Sequence, residues 1–467
     1  MRKIRWLAVI LIVILAVLGL GVMAWVRAPR LLEVTPAPGS TNIPPYTPVR
    51  LTFSRPVQPD SATSRITIQP VRNGSYSWEG NTLVFIPSQP WPSGATITVQ
   101  VAAGMRARPI LSLPMMKGQS WSFSTSQTLL AYLWPAAGGA DLYTLDPLTG
   151  DVRRITTTLN ILDYSISADG FGLFYSVELP GNDTALWRQA RKEAGGLLQA
   201  LPAPETILEC PLAACRSPRP SPDGKWLAYE RTPMDEQGQP GITSVWLLSL
   251  DDRSTRPVSQ PGHTTFHSSW SAFGWLSFYE NERQGFVVQD ATGREIGFLP
   301  NRTGELGGWH PEGSTFAAEE VILETISTLG TLTSSHLVVY DLTKLDSTGK
   351  PQTADLTQAA DLEDVSPVYS PNGEWIAFAR RYLDNSRWTP GRQLWLMRSD
   401  GREAHPLTQS GDYNHHDFAW SLDGQRLAFV RFNQTILTEP AELWLIDADG
   451  SQPIELVKGG YAPQWMP

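Results

Sequence analysis

Seven histidines occur in the chain, and four of them fall in two short stretches, His263 with His267 and His415 with His416. Asp163, Asp364, Tyr413 and Asp417 hold comparable positions within a repeat that runs through the second part of the sequence. Imidazole and carboxylate groups gathered at one place could bind a polar ligand or a metal. The spacings match no metal signature, so neither a metal nor a cofactor is expected, and solvated loop residues account for the same pattern. Trp388 differs, because residues 381–391 form a long polar loop in which an exposed ring could touch a ligand. Cys210 and Cys215 lie in a Pro/Ala-rich stretch, where an exported chain favours a local disulfide over free thiols.

Other motifs that look chemical have structural explanations. Asp223-Gly224, Asp423-Gly424, Asp400-Gly401 and Asp449-Gly450 suit tight hairpins, since Gly supplies positive φ and Asp bonds its own backbone. Asp447-Ala448-Asp449-Gly450 begins like a calcium loop but lacks the downstream ligands, and reads as a turn. The sequence contains no Gly-x-Ser-x-Gly elbow, no His-Glu-x-x-His and no phosphate-binding glycine loop. Dispersed carboxylates could still make a glycosidase pair.

The elements that position these residues must be built from 467 residues rich in turns and aromatics. The chain holds 38 Gly, 38 Pro, 18 Trp and 13 Tyr, with 18% charged residues and only 2 Cys. Two cysteines exclude a disulfide scaffold and a four-thiolate zinc site. The net charge of −9 argues against a nucleic-acid partner, which would need a basic stripe. Residues 6–26 carry no charge and are long enough to span a bilayer as a helix, and Arg2, Lys3 and Arg5 keep their end in the cytoplasm. Residues 1–30 are therefore expected to be a cytoplasmic tip and an uncleaved signal anchor, with a cleaved signal peptide as the alternative. They contain five basic and no acidic residues, which leaves 32 basic against 46 acidic beyond them, a net of −14. The bulk of the chain is expected outside the cytoplasm, tethered to the membrane by this single helix.

Residues 31–126 contain short runs such as Leu51-Thr52-Phe53, Thr82-Leu83-Val84-Phe85-Ile86, Thr96-Ile97-Thr98-Val99-Gln100-Val101 and Ser120-Trp121-Ser122-Phe123-Ser124, separated by Pro/Gly/Asn turns. Period-two alternation of this kind predicts a β-sandwich. Val34-Thr35-Pro36-Ala37-Pro38-Gly39, Trp91-Pro92-Ser93-Gly94 and the closing Trp121-Ser122-Phe123 resemble the bacterial Ig-like domain of S-layer and other surface proteins. That resemblance implies a spacer or adhesion module without catalysis.

From residue 129 a repeat takes over. Its turns read Ser167-Ala168-Asp169-Gly170, Ser221-Pro222-Asp223-Gly224, Ser370-Pro371-Asn372-Gly373 and Ser421-Leu422-Asp423-Gly424, with degenerate copies ending at Gly274 and Gly313. A second strand of the type x-Leu-Trp-Leu recurs seven times, as at Trp246, Trp395 and Trp444. Units of 39–60 residues with about four short strands are the arithmetic of propeller blades. Tyr461-Ala462-Pro463-Gln464-Trp465 matches an inner strand and is expected to complete the blade begun at Leu129. The expected class is all-β: an N-terminal transmembrane helix, an Ig-like β-sandwich, then a β-propeller of seven blades, with six as the alternative.

Arg219-Pro220-Ser221-Pro222-Asp223-Gly224-Lys225-Trp226-Leu227-Ala228-Tyr229 and the copy at residues 418–429 are similar to the WD40-like repeat of TolB-like propellers. Seven blades depart from the six typical of that family, so no TolB-like partner is carried over. The sequence supports a binding or scaffold protein for a protein, peptide or glycan. The alternatives are a carbohydrate-active hydrolase or lyase with carboxylates at the channel mouth, and a plain surface spacer.

Overall fold

The computed structural model describes residues 28–466 except 42, 44–46, 89–90, 109–113, 126–127, 159, 169, 171, 182, 191–202, 327–329, 348–349, 358 and 360. Among the described residues no helix is long and apolar enough to cross a membrane. The expected anchor segment, like Asp169 of the first repeat turn, lies outside them. The chain divides into two compact units, with the boundary between Gln127 and Thr128.

The first unit holds strands β1 (Leu31–Thr35) and β2 (Val49–Phe53), a one-turn helix α1 (Pro59–Thr63), and strands β3 (Ile66–Gln69), β4 (Gly74–Glu79), β5 (Thr82–Pro87), β6 (Thr96–Val101) and β7 (Gln119–Ser124). They form two antiparallel sheets, β1-β2-β5-β4 and β3-β6-β7. Alternation does the work: Val49, Leu51 and Phe53 from one sheet meet Ile97, Val99, Val101, Trp121 and Phe123 from the other in a single core. Trp91 sits in that core and still satisfies its indole N–H, which donates to the Thr47 carbonyl at 2.9 Å. β1 and β4 had not been expected. β4 is exposed along almost its whole length, and β1 carries a register break between Leu31 and Glu33, so neither shows a clean two-residue period.

The second unit is built from four-stranded antiparallel groups. β8 (Leu129–Trp134), β9 (Asp141–Leu145) and β10 (Val152–Arg154) begin the first. β11 (Ile161–Ile166), β12 (Gly172–Glu178), β13 (Thr184–Ala190) and β14 (Glu205–Cys210) make the next sheet. β15 (Ala213–Pro220), β16 (Trp226–Pro233), β17 (Ser244–Ser249) and β18 (Thr255–Pro257) follow, then β19 (Thr265–Trp270), β20 (Leu276–Glu280), β21 (Gly285–Gln289) and β22 (Glu295–Pro300). An eight-stranded sheet comes after them. It joins β23 (Gly308–Trp309), β24 (Thr315–Ile326), β25 (Gly330–Leu345) and β26 (Pro351–Asp355) to β27 (Leu362–Tyr369), β28 (Trp375–Tyr382), β29 (Gln393–Arg398) and β30 (His405–Pro406). Among the described residues, the parallel bridge Ser335↔Glu363 links its halves. β31 (Tyr413–Trp420), β32 (Arg426–Asn433), β33 (Glu442–Asp447) and β34 (Ile454–Lys458) make the last separate sheet. β35 (Tyr461–Met466) returns to pair antiparallel with β8, Trp465 opposite Leu130, and so completes the first sheet. The first strands β35, β11, β15, β19, β23, β27 and β31 lie side by side in that order, and β31 returns to β35.

Three repeated devices hold this arrangement. At the Ser-x-Asp-Gly turns the Ser221 hydroxyl donates to Asp223 at 2.6 Å and accepts from the Trp226 amide at 2.9 Å, and Ser421 does the same with Asp423 and the Arg426 amide. Gly224, Gly373 and Gly424 take φ of +69°, +73° and +66° there, which a side chain would oppose. Between groups, the first-strand tryptophans donate backward: Trp270 Nε1 to the Arg219 carbonyl, Trp420 to Val368 and Trp465 to Ala419, at 2.9 to 3.1 Å. Within groups, Arg231, Arg380 and Arg431 lie over the rings of Trp246, Trp395 and Trp444 on the neighbouring strand, a cation–π contact that buries a half-exposed ring.

Candidate functional site

Loops leading into each first strand and loops joining second to third strands emerge at one end of the sheets, here termed the loop end. The Ser-x-Asp-Gly turns lie at the other, the turn end. On the way from the loop end, β15, β19, β27, β31 and β35 are each interrupted by a β-bulge. Ser217, His267, Ser366, Asp417 and Ala462 stand at that bulge with φ between +51° and +57°, each seven residues before its turn glycine or at the matching place in β35. A bulge turns an amide out of the ladder, and neighbouring carboxylates collect it. The Ser217 amide donates to Asp163 Oδ2 at 2.7 Å and the His267 amide to Glu230 Oε1 at 2.9 Å.

Of the expected site residues, His267 and Asp417 stand at such bulges, and Asp163 collects the bulge amide of the next group. Burial pushes the Asp163 carboxyl up, against the Ser217 amide and the charges of Arg219 and Arg216. Asp417 moves the other way: burial opposes it, but His416 at 3.2 Å and the Ala462 amide hold its carboxyl below the usual range. The Tyr164 hydroxyl, fully buried and raised well above its ordinary value by that burial, donates to the Ala462 carbonyl at 2.7 Å. His267 Nδ1 lies 2.7 Å from the Gly304 carbonyl.

The other expected residues are placed differently. Asp364 and His415, expected as candidate ligand contacts, are both buried. Asp364 is wholly buried and accepts two bonds of 2.6 Å from Arg380 and one of 2.8 Å from Thr357. His415 is buried against Phe429, its Nδ1 2.8 Å from the Arg392 carbonyl, and burial lowers its imidazole to about 4. His263 is spent in a pair with the buried Glu280 at 2.6 Å. Tyr413 lies under the Arg431 guanidinium, which also pairs with Glu442. Cys210 and Cys215 are joined in a disulfide between β14 and β15. Trp388 is 53% exposed on its loop.

Some groups of the loop end had not been singled out. Glu363 pairs with Arg381 at 2.6 Å and with Arg392 at 2.8 Å. Glu319, on β24, is pushed up to about 7 by burial and by the nearby carboxylates of Glu305 and Glu363, with Ser335 and Arg392 opposing. Asp141 is fully buried and held by Arg154 and by the Thr156 hydroxyl at 2.6 Å. The Thr156, Thr357 and Thr408 hydroxyls each accept from a third-strand amide, that of Leu142, Leu337 and Leu394. Ile155-Thr156, Leu356-Thr357 and Leu407-Thr408 are a recurring pair in the sequence, and that recurrence was the available signal. Among the described residues no cluster of His, Cys, Asp and Glu could hold a metal ion.

Exposed apolar side chains concentrate at the same end. Of thirteen large ones described in the second unit, Trp134, Leu212, Ile242, Leu306, Leu323, Trp388, Ile436 and Leu437 lie at the loop end, and the remaining five at the turn end. β24 and β25 form a hairpin that stays in register to Ile326↔Gly330, past the length of the other second strands. Four extra residues at about 3.3 Å each raise a wall of roughly 13 Å above that end.

Residues 26–125 match the bacterial Ig-like domain family. No curated protein matches the chain. Among solved structures, the neighbours include TolB proteins and a protease β-propeller domain. A putative TolB from Agrobacterium tumefaciens is 19% identical, covers 72% of this chain and 91% of its own, and has a TM-score of 0.38. TolB from Acinetobacter baumannii is 12% identical, covering 94% and 99%, with a TM-score of 0.42. The β-propeller domain of the Trilobed protease from Pyrococcus furiosus is 14% identical, covering 63% and 82%, with a TM-score of 0.45.

Proposed function

We propose that the chain is a membrane-anchored, extracytoplasmic recognition protein in which seven blades form a closed ring, accompanied by an Ig-like module, and the loop end of the ring binds a protein, peptide or glycan. One contrast supports the reading. The ionisable groups of the loop end are largely committed to each other or to backbone amides, as in Asp364–Arg380, Glu363–Arg392 and Asp163–Ser217, whereas its large apolar side chains are left exposed. Groups so committed position a surface, and exposed aromatic and aliphatic side chains on long loops are what a partner desolvates. The experiment is a peptide and glycan array probed with the full chain in detergent. Its hits should vanish in a Trp388→Ala/Leu437→Ser variant and survive Leu148→Ser/Phe273→Ser, which alters the turn end; hits untouched by the first variant overturn the proposal.

A second reading, a carbohydrate-active hydrolase or lyase, draws on Glu319. A carboxyl held at about 7 beside other carboxylates suits general acid–base work. Turnover of an oligosaccharide panel that is lost in Glu319→Gln would favour it, and no turnover by the parent chain would dismiss it.

A further inference from the structure

Charge is used unevenly at the loop end. Four of its arginines are paired with carboxylates: Arg283 with Glu295 at 2.8 Å, Arg302 with Glu320 at 4.0 Å, Arg387 with Asp384 at 2.6 Å and Arg392 with Glu363 at 2.8 Å. Five exposed carboxylates, Asp235, Glu236, Glu305, Asp412 and Glu439, have no basic partner among the described residues, although Asp235 accepts from the Gln237 and Gln239 amides at 2.9 and 2.7 Å and Glu439 from the Asn433 side-chain amide at 3.0 Å, bonds that leave their charge uncompensated. These acids lie beside the exposed apolar groups. Asp235 and Glu236 share the β16–β17 loop with Ile242, Glu305 precedes Leu306, and Glu439 follows Ile436 and Leu437. Asp412 adjoins the Trp388 loop, whose Gly391 amide donates to the Gly411 carbonyl at 2.9 Å.

A surface that alternates unpaired acid with exposed apolar side chain selects its complement. An anionic glycan would be repelled, and a neutral sugar can donate hydroxyls to the carboxylates but leaves their charge uncompensated. A segment carrying both cations and aliphatic or aromatic side chains satisfies both, and an acidic face steers it in. Resting on the recognition reading above, we propose that the loop end docks a polypeptide segment rich in Lys or Arg and in large apolar residues.

The test uses the full chain in zwitterionic nanodiscs, with empty nanodiscs subtracted, and three labelled 16-residue peptides: Lys/Leu, Glu/Leu and Lys/Ser. Fluorescence anisotropy should show the Lys/Leu peptide binding at least tenfold more tightly than either of the others. Asp235→Asn/Glu236→Gln/Asp412→Asn/Glu439→Gln should weaken it about tenfold, and so should raising salt from roughly 50 to 300 mM, as expected for exposed charges. Trp388→Ala/Leu437→Ser should weaken it comparably, while Leu148→Ser/Phe273→Ser leaves it unchanged. Equal binding of the Lys/Leu and Glu/Leu peptides, or equal loss in the turn-end variant, overturns the proposal. Glycan hits that depend on Trp388 with no peptide binding overturn the partner class and leave the recognition face standing. No loop-end hits on either the array or the peptides remove both.

Discussion

The two ends of the sheets in residues 128–467 draw on the same residue types and spend them in opposite ways. At the turn end, connections are short and Asp223 and Asp423 serve the backbone beside them, accepting from the Ser two residues before and from the amide two residues on. Asp290 is held at about 2 by the Thr292 hydroxyl and by neighbouring amides in the same way. At the loop end, connections are longer, and Asp364 and His415 find partners in other strands or loops, inside the protein. A carboxylate in a tight turn is consumed locally and offers no chemistry, however motif-like its surroundings. Long loops leave side chains over, and here those are exposed apolar groups and carboxylates without a basic partner.

The comparison breaks most visibly at Asp364. Asp364→Ala strands the buried Arg380 charge, and uncompensated buried charges cost about 3–5 kcal/mol. Chemical denaturation should show that loss, and Asp364→Ala/Arg380→Met should recover much of it, since the pair itself is of little net benefit. A loss below about 1 kcal/mol would mean that the loop end is no more internally committed than the turn end.

How much of this was legible depended on whether a feature repeats along the chain or only across it. The turn glycines, the third-strand tryptophans and the completing strand at Tyr461 recur with the blade period, so spacing exposed them. Asp163 and Asp364 seemed equivalent but differ in offset, seven residues before Gly170 against nine before Gly373. That step of two, across a bulge, separates a carboxylate collecting a bulge amide from one sealed against an arginine. The stacking of Arg231, Arg380 and Arg431 requires knowing which strand lies opposite, as does the Glu319 environment, which depends on a hairpin longer than its counterparts. Sequence spacing carries no register between strands.

His415 sharpens the contrast through pH. Burial lowers its imidazole to about 4, whereas an unfolded histidine titrates near 6.5. The fold therefore prefers the neutral ring. The stability this represents is fully present above pH 6.5 and is lost as pH falls from there toward 4, by about 3 kcal/mol at most. Denaturation midpoints between pH 7 and 4 should fall more steeply for the parent chain than for His415→Gln. Identical slopes would show that the ring is hydrated after all and that the loop end is open where it is drawn closed.

The smallest effect tests the turn end. Asp423 accepts from the Ser421 hydroxyl at 2.6 Å and from the Gln425 amide at 3.1 Å, both in an exposed turn. Two such bonds against water are worth about 1 kcal/mol, so Asp423→Ala should lower stability by roughly that much. Asp423→Asn should change it by almost nothing. The chain already contains that experiment: Asn372 stands at the same place in its turn, accepting from Ser370 at 2.7 Å and from the Glu374 amide at 3.1 Å around an unchanged glycine conformation. What the position needs is a side-chain oxygen, and the charge is incidental. Both variants should bind the loop-end partner as the parent does. If Asp423→Asn kept the fold and abolished binding, the carboxylate charge would be functional, and the turn end could no longer be separated from recognition.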